Sequence, residues 1–155
     1  FFHVTVPIQA GTAMVIISGI ALGPEAGFLV GALARLVCNF YLGQGPWTPW
    51  QMFCWGMMGW TAGAGRKSRW LKSRWGLLLF GFAWGFLFGW IMNLWFLLGF
   101  MGELSWAVFI SAYAASFYFD LAHALSNLFF LCFFYQPWLK ILRRVQVKYG
   151  LLQEK

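Results

Sequence analysis

Residues 43–51 read Gly-Gln-Gly-Pro-Trp-Thr-Pro-Trp-Gln and join two long apolar runs, 26–42 and 50–64. Pro46 and Pro49 stiffen the connection, because each ring fixes its own φ. Trp47 and Trp50 are of the type that settles at a membrane–water boundary. Thr48, Pro49 and Gln51 also spell a helix start, with Thr48 as N-cap, Pro49 at the first helical position and Gln51 reaching back as a capping box. The segment therefore reads as an ordered, aromatic, hydrogen-bonding lid between two membrane spans. The plainer reading is a tryptophan anchor at the interface.

The runs on either side extend to the whole chain. It is 61% hydrophobic, 22% aromatic and only 10% charged, where soluble domains carry about 25% charged residues. A soluble chain of this length could not hide so much apolar surface, so lipid must solvate it. Five spans are predicted: 9–22, 26–42, 50–64, 75–99 and 106–135. Crossing about 30 Å of hydrocarbon takes roughly 20 helical residues. The last two spans meet that length with tilt, and the first three are short. The runs are continuous with no period of two, which excludes a closed β-barrel. Cys38, Cys54 and Cys132 stand singly without metal-ligand spacing and read as small buried hydrophobes. No metal and no cofactor is expected.

Charge sets the orientation. Arg66, Lys67, Arg69, Lys72 and Arg74 lie between spans three and four, and Lys140, Arg143, Arg144, Lys148 and Lys155 follow span five. The positive-inside rule places both segments, and hence the carboxyl terminus, in the cytoplasm. The lid, the amino-terminal residues 1–8 and the 100–105 connector then face outward. The net charge of +7 is membrane topology and does not point to nucleic acid. Pro137 is expected to break span five. After it, Trp138, Leu139, Leu142, Val145 and Tyr149 recur at near-helical spacing between the cations. The division is thus a membrane-embedded substrate-binding bundle over 1–136 and a cytoplasmic amphipathic tail helix over 137–155, stopped by Gly150. That tail reads either as a surface anchor or as a docking surface. Gly27 and Gly31, Gly59 and Gly63, and Gly81, Gly85 and Gly89 form small-xxx-small faces for close helix packing.

Polar residues at membrane depth are costly and usually face a bundle interior, a cavity or a partner. Span five carries Ser116, Asp120, His123 and Asn127 on one helical face, with Tyr113 extending the stripe outward. Span two carries Arg35 and Asn39, and span four carries Asn93. Arg35 and Asp120 are the only opposite charges placed well inside the membrane. They are expected within salt-bridge reach, directly or through Asn39 or His123. The stripe has three readings: a structural polar network of Arg35, Asn39, Asp120, His123 and Asn127; a ligand cavity under the lid; or catalysis or metal binding by Asp120 and His123. For the last, two groups give fewer ligands than a metal site needs, and no phosphate loop, nucleophile elbow or carboxylate cluster supports an enzyme.

Four stretches carry a family resemblance: 20–32 (Ile-Ala-Leu-Gly-Pro-Glu-Ala-Gly-Phe-Leu-Val-Gly-Ala), 43–52 (the lid and Met52), 119–124 (Phe-Asp-Leu-Ala-His-Ala) and 148–152 (Lys-Tyr-Gly-Leu-Leu). Over nearly its whole length the chain resembles the substrate-binding S components of energy-coupling factor (ECF) vitamin transporters. The resemblance implies a bacterial plasma-membrane protein, usually of six helices with both termini cytoplasmic, so five spans fit a chain lacking the first helix. It implies no enzymatic activity. It implies capture of a scarce vitamin-like molecule from outside, and delivery with a transmembrane T component and two cytoplasmic ATPases. Family ligands include riboflavin, thiamin, biotin, folate and cobalamin. Two lid tryptophans suit a flat or large ring and incline the reading to cobalamin or another large cofactor precursor. The resemblance also places the ligand between the last three helices, under the external loops. The predicted pocket is lined by Gln9, Thr12, Trp47, Trp50, Gln51, Trp90, Asn93, Tyr113 and Ser116, which combine aromatic faces with a few hydrogen-bonding groups. Two other classes compete: a structural membrane subunit without a small ligand, and an intramembrane enzyme using Asp120 and His123.

Overall fold

The computed structural model describes residues 10–100, 102 and 105–150, except for the side chain of Phe100. The described chain is helical: α1 (Ala10–Leu22), α2 (Pro24–Leu42), α3 (Thr48–Ala64), a 3-10 turn (Gly65–Lys67), a one-turn α4 (Arg69–Lys72), α5 (Arg74–Phe100) and α6 (Trp106–Lys148). Sequence punctuation explains the boundaries. Gly23 adopts φ 104° between α1 and α2, and Gly43 adopts φ 111° after α2. Both values lie where a side chain is strained and glycine is not. Pro24 and Pro49 occupy the first turns of α2 and α3, where a missing N–H costs nothing. α6 ends at Lys148 with Tyr149 as its cap, next to the expected stop at Gly150.

Among the described residues three helices are long and apolar enough to cross a membrane: α2, α5 and α6. α1 has 13 described residues and α3 has 17, fewer than a full crossing takes. Leu29, Leu33 and Val37 on α2 and Leu125, Phe129 and Phe133 on α6 are exposed, as a lipid-facing surface requires.

Lipid tails are as apolar as leucine, so helices in a membrane are held by close packing and polar bonds. The glycine faces supply the packing. A Cβ on Gly27 would strike the Gly59 carbonyl and the Gly19 α-carbon, and one on Gly59 would strike Gly27. Gly31 meets the Trp55 carbonyl, and Gly63 meets Gly23 and Pro24. Three backbones thus touch directly where α1, α2 and α3 meet. On the other side Gly85 lies against the Ala124 backbone, and Gly81 lies against Leu131 and Asn127, so α5 and α6 pair in the same way. Ile16, Ile17, Met58, Leu77, Trp84 and Leu131 form a core joining the two groups of helices through α1.

The expected break at Pro137 does not occur. α6 runs through it as one 43-residue helix, and the tail is its continuation. Proline removes the helical partner of the Phe133 carbonyl, a loss that membrane helices tolerate. Two bonds tie α6 to α1: Thr12 Oγ1 lies 3.0 Å from His123 Nε2, and Gln146 Nε2 donates to the Ala21 carbonyl at 2.9 Å. Along straight helices these points would be about 34 Å apart on α6 but only about 14 Å apart on α1. α6 therefore curves over α1 between them, and Pro137 lies in that interval, where such bends originate.

The bundle has two unlike ends. Arg66 sits against Gly23, and Gln146 reaches Ala21, so both basic segments gather where α1 ends and α2 begins. The lid lies at the far end of α2.

Candidate functional site

Under the lid, α2 and α3 are tied by a chain of buried polar groups. Arg35, only 2% exposed, donates through Nε to Gln51 Oε1 at 2.9 Å. Asn39 Nδ2 donates to the same oxygen at 2.9 Å and to Thr48 Oγ1 at 3.1 Å. Thr48 Oγ1 also accepts from the Gly45 N–H at 3.2 Å and donates to Gln44 Oε1 at 2.9 Å. The capping box expected of Thr48 and Gln51 is not formed. The N-cap of α3 is Trp47, with no side-chain cap. The short connector puts Thr48 and Gln51 directly opposite the interior donors of α2. Those buried donors would be costly to leave unmet, so they claim the oxygens that would otherwise cap the helix.

The Arg35 guanidinium also lies 5.2 Å from the centroid of the Trp55 ring, a cation–π contact. Trp55 is fully buried, and its ring abuts Gly11. With Val15, Cys54 and Phe88 it forms a second core cluster joining α1, α3 and α5. The sequence reading passed over Trp55. Its signal was position, since it stands one helical turn after Gln51 on the same face.

A second polar group lies between α5 and α6. Asn93 Nδ2 donates to Ser116 Oγ at 2.7 Å, and Ser116 Oγ donates to Asp120 Oδ2 at 3.1 Å. The Asp120 carboxylate rests on Gly89, where any side chain would displace it. Tyr113 donates to the Trp90 carbonyl at 3.0 Å and stacks on Phe109 at 4.5 Å. Phe86 lies edge-on to Trp90 at 6.3 Å and touches Phe117 at 5.9 Å. An aromatic cluster thus borders a ladder of hydrogen-bonding groups. Its exposed faces include Trp90 and Phe117, both 49% exposed.

His123 belongs to neither group. It is buried, bonded to Thr12 and edge-on to Phe88 at 5.6 Å. Asn127 Nδ2 donates to the Gly81 carbonyl at 2.9 Å. Among the described residues no ion pair joins Arg35 to Asp120, and Asn39 and His123 bond to other groups and do not bridge the two, contrary to expectation. Arg35 bonds to Gln51 of α3, whereas Asp120 accepts from Ser116 and rests on Gly89 of α5. Sharing membrane depth did not mean sharing an interface.

The nine predicted lining residues thus divide. Trp90, Asn93, Tyr113 and Ser116 come together between α5 and α6. Gln51 joins Arg35 and Asn39, and Thr12 joins His123. Trp47 folds its ring over Gly45, and Trp50 lies edge-on to Phe53 at 6.3 Å. Gln9 lies outside the described residues. A small apolar cavity of about 70 Å³ lies elsewhere, between α1 and α6, lined by Ala13, Ile17, Phe130 and Trp138 among others. Of the cysteines, Cys54 is buried as expected, whereas Cys132 is exposed and accepts from Arg74 Nη2 at 3.1 Å. No group of three or more potential metal ligands occurs among the described residues.

The family described as ECF-type riboflavin transporter, S component, matches residues 1–132. No curated protein and no solved structure matches. The family match covers most of the chain, and the chain belongs to that family.

Proposed function

We propose that this S component captures riboflavin in the outer half of its α5–α6 pair, with the lid contributing to closure. Membership of the family makes the chain a substrate-binding membrane subunit of an ECF transporter and not an enzyme, which removes the reading of Asp120 and His123 as catalytic groups. The family takes its name from riboflavin, and this redirects the earlier inclination to cobalamin. That inclination rested on two lid tryptophans suited to a flat or large ring, but Trp47 and Trp50 lie against Gly45 and Phe53.

The observation that carries the reading is the adjacency of aromatic faces to a polar ladder. An isoalloxazine is flat and apolar on its faces and carries hydrogen-bonding groups around its rim. Trp90 and Phe117 offer the stacking surfaces, and Asn93 and Ser116 offer edge contacts. In this reading the lid end faces outward, on the strength of the positive-inside rule. The ligand is passed inward with a transmembrane T component and two ATPases, in the bacterial plasma membrane.

Quenching of flavin fluorescence on titration of the purified protein tests the ligand. Saturable quenching is expected, with Trp90→Ala weakening binding about tenfold through the lost aromatic contact and its buried area. Absence of quenching, together with tight binding of cobalamin, would overturn riboflavin. Normal riboflavin binding by Trp90→Ala and Ser116→Ala alike would place the site elsewhere.

A further inference from the structure

Apart from Arg35 and Lys155, all of the chain's 11 Lys and Arg residues gather at the end of the bundle opposite the lid. The only acidic residue at that end among the described residues is Glu25, in the first turn of α2. The fold orders the backbone of the turn that carries the first group. Ser68 Oγ caps α4 by accepting from the Leu71 N–H at 3.2 Å, and Leu71 is buried. Ser73 Oγ donates to the Trp70 carbonyl at 2.7 Å and accepts from the Gly76 N–H at 3.0 Å. Arg66 and Arg74 are engaged by the bundle, against Gly23 and Cys132. Lys67, Arg69 and Lys72 are left exposed, beside the exposed indoles of Trp70 and Trp75. On α6, Leu139 and Gln146 are buried while Lys140, Arg144 and Lys148, four residues apart, are exposed.

We propose that this end of the bundle is a binding surface for the headgroups of anionic phospholipids. Exposed indoles beside cations fix the depth of the surface, because tryptophan settles at headgroup level. Lys67, Arg69 and Lys72 then lie in the plane of the lipid phosphates, where each cation near an anionic surface contributes appreciably. A soluble acidic partner would leave the two indoles in water or have to cover them, whereas a bilayer receives them directly. The capped turn fixes the backbone that carries these cations, so the segment itself loses little order on binding.

The test presents the purified full chain, in neutral detergent, with equimolar phosphatidylglycerol and phosphatidylcholine and counts retained lipids by native mass spectrometry. Retention of phosphatidylglycerol is expected to exceed that of phosphatidylcholine by about tenfold. The triple variant Lys67→Gln, Arg69→Gln, Lys72→Gln should fall to near parity with an unchanged unfolding temperature. Should the variant not fold, the wild type decides alone: its preference should collapse in about 1 M ammonium acetate, where charges are screened within about 3 Å. Parity in the wild type, or a preference that survives both the substitutions and the salt, overturns the proposal. Parity joined to salt-sensitive retention of a soluble acidic protein overturns it in favour of a protein partner.

Discussion

Arg35 Nε and Gln51 Oε1 meet at 2.9 Å across the α2–α3 hairpin, so the most deeply buried cation among the described residues is held by an amide at the foot of the lid. The same oxygen serves Asn39. Gln51→Leu withdraws one acceptor from two buried donors, each loss worth about 1–3 kcal/mol. The variant should therefore unfold at a lower temperature in detergent than the wild type. In a double-mutant cycle Arg35→Leu and Gln51→Leu should be non-additive. Arg35→Leu and Asp120→Leu share no partner among the described residues and should add to within about 0.5 kcal/mol. The reverse pattern would restore the Arg35–Asp120 pair.

Backbone contact between Gly27 and Gly59 leaves no room for a side chain. Gly59→Val should cost at least about 3 kcal/mol, the upper range for overpacking a filled interior, and should sharply reduce the monodisperse yield. Gly99→Ala has open space around it and should change neither yield nor unfolding temperature. Equal behaviour of the two variants would remove the glycine face as the source of cohesion.

Orientation is tested by labelling single cysteines, introduced after Cys38, Cys54 and Cys132 are replaced by Ala. Thr48 is buried and reports poorly, whereas Gln44 and Ser68 are exposed at opposite ends of the bundle. A membrane-impermeant maleimide added to intact cells should label Gln44→Cys and spare Ser68→Cys. Labelling of Ser68→Cys alone would invert the topology drawn from the charges.

Much of this arrangement was legible in the residues. Continuous apolar runs, the Gly-Pro turn at Gly23 and the prolines of the lid mark the helices, because each acts through local backbone geometry. The glycine spacings announced close packing, but spacing along one helix holds no information about which helix lies opposite. The same gap explains the Arg35–Asp120 error: two charges at one depth face whichever neighbours the packing supplies. Pro137 misled for a related reason. Its local cost is real, but the contacts of Leu139 and Gln146 beyond it hold the helix together. Trp90, Asn93, Tyr113 and Ser116 came together because α5 and α6 are antiparallel neighbours, a relation that sequence order suggests. Thr12 and Gln51 went to other helices, which sequence order does not reveal.

Ser116 occupies the centre of the α5–α6 ladder, accepting from Asn93 and donating to Asp120. Ser116→Ala removes both bonds and leaves the amide and the carboxylate without that hydroxyl. A stability loss of about 1–3 kcal/mol should follow, read as a lower unfolding temperature without ligand. If the ladder also meets the rim of the ligand, riboflavin binding should weaken beyond what the lost stability explains. Ser116→Thr keeps the hydroxyl and should recover most of both. Asp120→Asn preserves the shape and an acceptor, so it should disturb binding less than Ser116→Ala. Weakened binding in Asp120→Asn with normal binding in Ser116→Ala would shift the polar contact from the hydroxyl to the carboxylate. Normal binding in both variants, with only stability reduced, would make the ladder a structural tie between α5 and α6.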